Sequence, residues 1–102
     1  MSEQRRLRVV VADDVLLMRQ GVVRVLEAID GVQIVAECDD ADHLLAATEE
    51  HDPDVVLTDI AMPPTHTDEG IRAAMQLREK RPELGVVVLS QYAEPDLSLI
   101  HI

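Results

Sequence analysis

The sequence predicts an α/β protein built on a doubly wound parallel sheet. Short runs rich in β-branched residues, bounded by acids, glycine or proline, are typical of strands buried on both faces, and three stand out at Leu7–Ala12, Val55–Thr58 and Val86–Leu89. A fourth run, Val32–Glu37, partly alternates, which suits an edge strand with one wetter face. Helical patterns fill the gaps, and this alternation favours right-handed βαβ crossovers.

Amphipathic segments separate the predicted strands. In the first segment, apolar residues recur at three- and four-residue spacing, with polar residues on the other side: Val15, Met18, Val22, Leu26 and Ile29 against Arg19, Arg24 and Glu27. The second predicted helix covers Asp39–His51, and the third runs from about Asp68 to Lys80 with Thr67 as its N-cap. The expected inward positions of these two helices are Ala41, Leu44, Leu45, Thr48, Ile71, Ala74 and Leu77. A further helix is predicted to begin at Pro95.

Length and composition restrict the class of protein. The 102 residues suffice for one domain, and the 47% apolar content can form a core, which must be aliphatic because Trp and Phe are absent. A net charge of −11 argues against direct nucleic-acid binding, which requires clustered basic residues. The single cysteine, Cys38, is consistent with a reducing compartment, and the apolar runs are too short for a membrane span. We therefore expect a cytoplasmic protein without membrane association.

Acidic residues follow two of the predicted strands. Asp13 and Asp14 come directly after the first strand, and Asp59 directly after the third. Because parallel strands end at the same edge of a sheet, these carboxylates should lie together at the edge where such sheets bind ligands. Three acids repel one another unless a cation joins them, and oxygen ligands suit Mg²⁺. Aspartate is also a known covalent acceptor of phosphoryl groups.

Each acidic group alone has a simpler interpretation. An acid pair after a strand is often a helix N-cap, and Asp59 before a proline-rich loop could be turn chemistry. The four histidines, His43, His51, His66 and His101, show no metal-ligand spacing and are predicted to be surface residues. Only the combination of acids at equivalent strand ends favours a site.

Three segments, VVVADDVLLMRQG, DVVLTDIAMPPTHTDEG and VVVLSQYAEP, closely resemble the receiver domains of two-component response regulators. The resemblance extends from Leu7 to about Asp96 and is nearest to the subfamily with a LuxR/NarL-type DNA-binding output domain. It implies a flavodoxin-like (βα)5 fold with strand order 2-1-3-4-5. It also implies a phosphorelay signalling module rather than an enzyme, with a sensor histidine kinase as partner, homodimerisation on phosphorylation, and DNA contact only through an output domain.

The resemblance assigns a role to each matching residue. Asp59 would accept the phosphoryl group, Asp14 would ligate Mg²⁺ directly, and Asp13 would do so mainly through water. The backbone carbonyl of Ala61 would be a further metal ligand, and Ser90 would be the switch hydroxyl. Taken alone, Ser90 could equally cap a turn, as hydroxyls at strand ends often do.

Two family features have no counterpart in the sequence. No lysine follows Lys80, although receivers have one at the end of a fifth strand, and neither a fifth strand nor a fifth helix is predicted. The last six residues, LSLIHI, are the direct translation of CTGTCTCTTATACACATC, a mosaic-end sequence of transposon-based sequencing libraries. We expect an incomplete receiver domain at residues 5–96, with the fourth predicted strand, Val86–Leu89, as an uncovered edge, and a non-native tail at 97–102 from adapter read-through. The other interpretation, that Leu97, Leu99 and Ile100 begin an ordinary amphipathic helix, stays open.

Other functions are less compatible with the residues present. A phosphatase or phosphotransferase with an aspartyl intermediate usually needs a second carboxylate two residues beyond the nucleophile, and that position is Ala61. A phosphorylation-independent binding module, or an inactive fragment, is the remaining alternative because the lysine is missing.

Overall fold

The computed structural model describes residues 6–63 and 67–89 in full and residues 99–101 by their backbone. Strands and helices alternate along most of the chain, in the order β1 Leu7–Ala12, α1 Leu16–Glu27, β2 Val32–Cys38, α2 Ala41–His51, β3 Val55–Asp59, α3 Glu69–Lys80, β4 Gly85–Leu89 and β5 Leu99–His101. No helix within this described part of the chain is long and apolar enough to cross a membrane.

The strands form one sheet in the order β2-β1-β3-β4-β5. The pairs β1–β2, β1–β3 and β3–β4 are parallel, so the first four strands have the predicted 2-1-3-4 arrangement. This order reverses direction between β1 and β3, and the carboxyl ends of strands at such a switch point are where open α/β sheets bind ligands.

The outer edge of β4 is not bare, contrary to our expectation. The three-residue strand β5 pairs with it, with Leu89 opposite Leu99 and Val87 opposite His101. This pairing is antiparallel, so β5 is not the parallel fifth strand of a receiver, and that strand is absent from the described residues. Backbone pairing at an edge satisfies polar groups that would otherwise face solvent or another chain. The helix predicted to begin at Pro95 lies outside the described residues.

The larger part of the core lies between the sheet and helices α2 and α3. Alternate residues of the central strands, such as Val10, Val56 and Val88, pack there against Leu44 and Leu77. The predicted inward faces of α2 and α3 are confirmed, since all seven positions are buried or partly buried. The N-cap of α3 is Asp68 rather than the predicted Thr67.

The opposite face of the sheet carries α1 over a smaller cluster. Val23 is the buried residue of this helix, and it packs with Val9 and Val11. Val22 and Leu26 are half-buried as predicted, but the expected apolar face is wrong at its other three positions, Val15, Met18 and Ile29, which are exposed. Among the described residues α1 is the only helix on this face, so nothing covers the flank of its apolar side.

Candidate functional site

The carboxyl ends of β1 and β3 lie side by side. Ala12, the last residue of β1, is in register with Thr58, and the next residues along the two strands are Asp13 and Asp59. Carboxylate oxygens of Asp13, Asp14 and Asp59 all lie within 4.8 Å of one another. The structure therefore brings together the three acids that the sequence analysis selected.

Asp13 is held through several of its own atoms. The residue is buried, with 4% of its surface exposed. Its backbone N–H donates to the carbonyl of Cys38 at 3.0 Å. One carboxylate oxygen, Oδ1, accepts from the backbone N–H of Val15 at 2.9 Å. Val15 is the N-cap of α1 and makes no side-chain cap bond, so neither Asp13 nor Asp14 occupies the N-cap position itself.

Asp59 is the last residue of β3 and is 5% exposed. Burial, followed by the negative charge of Asp13, raises the pKa of its carboxyl from 3.8 to about 6, although hydrogen bonds from the backbone at Ile60 and Ala61 act in the opposite direction. Loss of solvation and repulsion by a like charge both disfavour the ionised form. The carboxylate at Asp59 is thus held in an environment that favours a proton or a cation.

The three acids fit a small divalent cation. All the donors that they offer are carboxylate oxygens, the ligand type that Mg²⁺ and Ca²⁺ prefer over the nitrogen and sulfur donors that suit zinc. A cation bound among them would also relieve the repulsion and desolvation that raise the pKa of Asp59.

The loop after β3 packs closely beneath the start of α3. Ala61 and Met62 are buried, and the carbonyl of Ile60 accepts from the backbone N–H of Gly70 at 2.8 Å. A Cβ atom at Gly70 would lie 1.7 Å from the backbone oxygen of Asp59, so any side chain there would collide with the main chain of the site. Gly70 therefore allows α3 to approach Asp59, a role that sequence analysis missed, although a glycine in the first turn of a helix was the available signal.

Ser90, the predicted switch hydroxyl, lies outside the described residues. The residue before it, Leu89, is in register with Asp59 across the β3–β4 pair.

Arg19 differs from its sequence-based interpretation. It was assigned to the polar side of α1, yet its side chain is only 16% exposed and its guanidinium donates to the backbone carbonyl of Asp13 at 2.7 Å. No local pattern in the sequence distinguishes it from Arg24 on the same helix.

A second group of possible ligands lies at the start of α2 and consists of Asp39, Asp40 and His43, whose ligand atoms are within 4.8 Å of one another. The prediction that no histidine has metal-ligand spacing is therefore wrong for His43. The prediction of an exposed position is correct for this residue. Asp40 caps α2 by accepting from the backbone N–H of His43 at 2.7 Å, and the ring of His43 lies 3.0 Å from Asp39. Helix capping and an ion pair account for this group.

Comparison with known proteins identifies the class. Residues 9–100 match the response regulator receiver domain. The chain is 38% identical over 84 residues to the response regulator GacA of Pseudomonas viridiflava, covering 82% of this chain and 38% of that protein. It is 37% identical over 93 residues to the probable transcriptional regulatory protein NarL of Mycobacterium tuberculosis, covering 91% and 42%.

Solved structures agree with this result. The signal receiver domain of the putative response regulator NarL from Mycobacterium tuberculosis superposes with a TM-score of 0.77 at 38% identity, covering 89% of this chain and 71% of that one. The isolated REC domain of RcsB from Salmonella enterica serovar Typhimurium, determined with the phosphomimetic BeF3−, gives a TM-score of 0.78 at 28% identity, covering 89% and 66%.

The chain belongs to the response regulator receiver domain family. It is the receiver part of a two-component response regulator of the LuxR/NarL type, a signalling domain. The chain spans about two fifths of the length of the curated relatives that it matches, with 38% of GacA and 42% of NarL covered.

Proposed function

We propose that this chain accepts a phosphoryl group on Asp59 from the phosphohistidine of a sensor histidine kinase. Mg²⁺ would be held by Asp13, Asp14, Asp59 and the backbone carbonyl of Ala61, with Ser90 as the switch hydroxyl. The observation that supports this proposal most directly is the convergence of three carboxylates within 4.8 Å at the carboxyl ends of β1 and β3.

The proposed reaction is an in-line displacement at phosphorus. A carboxylate oxygen of Asp59 forms the new O–P bond while the P–N bond of the phosphohistidine breaks. The electron pair of the P–N bond remains on the imidazole nitrogen. The pKa of Asp59 is raised only to about 6, so at neutral pH most molecules carry this side chain as the carboxylate. The nucleophile is therefore available. A bound Mg²⁺ would supply neutralisation of the charge on the incoming phosphoryl group.

The protein environment contributes positioning. The backbone bonds of Asp13 and the close approach of α3 at Gly70 fix the main chain on both sides of the acceptor. Preorganisation of this kind lowers the cost of bringing charged groups together at the moment of reaction.

Phosphorylation would act by changing a surface of the domain. In a full-length regulator of the LuxR/NarL type, the change would promote homodimerisation and control a DNA-binding output domain. The RcsB relatives include structures solved as DNA complexes, which agrees with this role for the family's longer members. The net charge of −11 argues against direct DNA contact by the receiver part itself.

The test is phosphoryl uptake from a small phosphodonor such as acetyl phosphate with Mg²⁺, followed by intact mass spectrometry. We expect one added phosphoryl group on the wild type and none on Asp59→Asn or after Mg²⁺ is chelated. The charge-matched control Asp30→Asn, at an exposed turn position, should react like the wild type.

The chemistry of the product identifies the acceptor. An acyl phosphate on aspartate is cleaved by hydroxylamine, whereas a phosphoserine is not. Uptake that survives in Asp59→Asn would refute the assignment of the acceptor. No uptake by the folded wild type would favour the phosphorylation-independent binding module instead.

A further inference from the structure

The guanidinium of Arg19 joins two strand ends beside the acidic group. Its Nη1 donates to the backbone carbonyl of Asp13 at 2.7 Å, and its Nε donates to the carboxylate of Glu37 at 3.1 Å. Asp13 follows β1 and Glu37 lies in the last two residues of β2, so one side chain of α1 connects the ends of two neighbouring strands. The side chain of Arg19 is 16% exposed and its bond to Asp13 is partly buried, whereas its bond to Glu37, whose side chain is 36% exposed, lies at the surface.

Two neighbouring hydrogen bonds add to this connection. Gln20 donates from Nε2 to the same oxygen of Glu37 at 2.8 Å, so consecutive residues of α1 hold that carboxylate. On the strand side, the N–H of Asp13 donates to the carbonyl of Cys38 at 3.0 Å. The peptide groups on either side of Asp13 are therefore fixed from two directions, through its N–H by β2 and through its carbonyl by α1.

This restraint acts on a residue that needs it. Asp13 is buried beside two other carboxylates, and their mutual repulsion favours displacement of the loop that carries Asp13 and Asp14. A cation that binds among the three carboxylates relieves their repulsion. Its affinity is highest when the loop is already held where the oxygens converge, because movement of the loop on binding would cost free energy.

We propose that Arg19 is a positioning residue of the cation site, which holds the Asp13 main chain so that the three carboxylates remain within reach of one ion. The inference deepens the proposed function and rests on it. Arg19 acts through Asp13, and its two different N–H groups reach two acceptors at once. The compact ammonium of lysine lacks this planar fork and cannot reproduce the pair of bonds.

The test is the affinity for Mg²⁺, measured by titration calorimetry on the wild type and on Arg19→Met, Arg19→Lys and Glu37→Gln. Residues that orient ligands in metal sites typically contribute about 10–100-fold to affinity, and we expect a loss in that range for Arg19→Met. Arg19→Lys should recover little of it, and Glu37→Gln should show a smaller loss because the amide oxygen still accepts. The control Arg24→Met, on the exposed side of the same helix, should bind like the wild type.

A purely structural role is distinguished by unfolding in urea without metal. If the role is purely structural, substitution of Arg19 would lower the free energy of unfolding and leave the Mg²⁺ affinity of the folded protein unchanged. If Arg19→Met fails to fold, Arg19→Lys decides the question by the same two measurements. Wild-type affinity in a folded Arg19 variant overturns this inference alone, whereas a wild type that does not bind Mg²⁺ overturns the proposed cation site and the inference together.

Discussion

Replacing Asp59 by Asn should stabilise the metal-free protein at neutral pH. Asp59 is 5% exposed, and burial together with Asp13 raises its pKa from 3.8 to about 6. A carboxyl whose pKa is higher in the folded state holds its proton more tightly there than in the unfolded chain. Ionising it therefore opposes folding, and the isosteric amide of asparagine removes this cost.

The magnitude follows from the pKa difference. A change from 3.8 to about 6 corresponds to roughly 3 kcal/mol of folding free energy at pH values above both pKa values. The wild type loses this amount as the pH rises from about 4 to about 6, and the variant does not. Because the new amide must also find hydrogen-bond partners at either pH, which costs up to about 2 kcal/mol, we expect a net gain of about 1–3 kcal/mol at pH 7.5 and between no change and a loss of about 2 kcal/mol at pH 3.5.

The assay is urea denaturation in metal-free buffer at these two pH values, with the unfolding free energy obtained by linear extrapolation. The control Asp30→Asn removes the same formal charge from an exposed turn. It therefore reports the general benefit of making the net charge of −11 less negative. The quantity to compare is the stabilisation by Asp59→Asn in excess of the control.

Two results would refute the reasoning. An Asp59→Asn variant no more stable than Asp30→Asn at pH 7.5 would show that ionisation of the buried Asp59 carboxyl does not oppose folding. A gain of equal size at both pH values would show that it arises from packing rather than from ionisation.

Two further predictions concern backbone space and thiol reactivity. Gly70→Ala should destabilise the fold by about 3 kcal/mol, because the new Cβ would lie 1.7 Å from the backbone oxygen of Asp59. Gly21→Ala in α1, where an added Cβ would meet nothing within 4 Å beyond the neighbouring residues and the backbone of its own helix, should stabilise by about 0.5–1 kcal/mol in the same urea titration. Equal effects of the two changes would contradict the close approach. Burial, followed by the charges of Asp39 and Asp40, raises the pKa of the Cys38 thiol from 9.0 to about 11. A chromogenic disulfide reagent at pH 8 should therefore react roughly 100-fold more slowly with the native protein than with the protein in urea, and comparable rates would show that the thiol is accessible.

Much of the fold could be predicted because the signals are local. The β-branched runs of β1, β3 and β4 match the observed strands to within one residue, since a strand buried on both faces needs an unbroken apolar run. The convergence of Asp13, Asp14 and Asp59 also followed from sequence, because parallel strands place their carboxyl ends at one edge.

The exposed side of α1 could not be predicted in the same way. Periodicity indicates which residues share a helix face, but burial depends on what lies opposite that face. Met18 and Ile29 have the right spacing and remain exposed, since no other described helix lies beside α1 on this side of the sheet. The antiparallel pairing of Leu99–His101 with β4 is likewise a long-range contact without a local signal.

The sequence by itself determined the four parallel strands and the acids at their ends, because strand propensity and turn position are properties of neighbouring residues. The tertiary structure decided how those acids are held. The bridge from Arg19 to Glu37 and the approach of Gly70 to Asp59 join residues that are distant along the chain. Whether such groups meet depends on how helices pack on the sheet, and spacing in the sequence does not specify that distance.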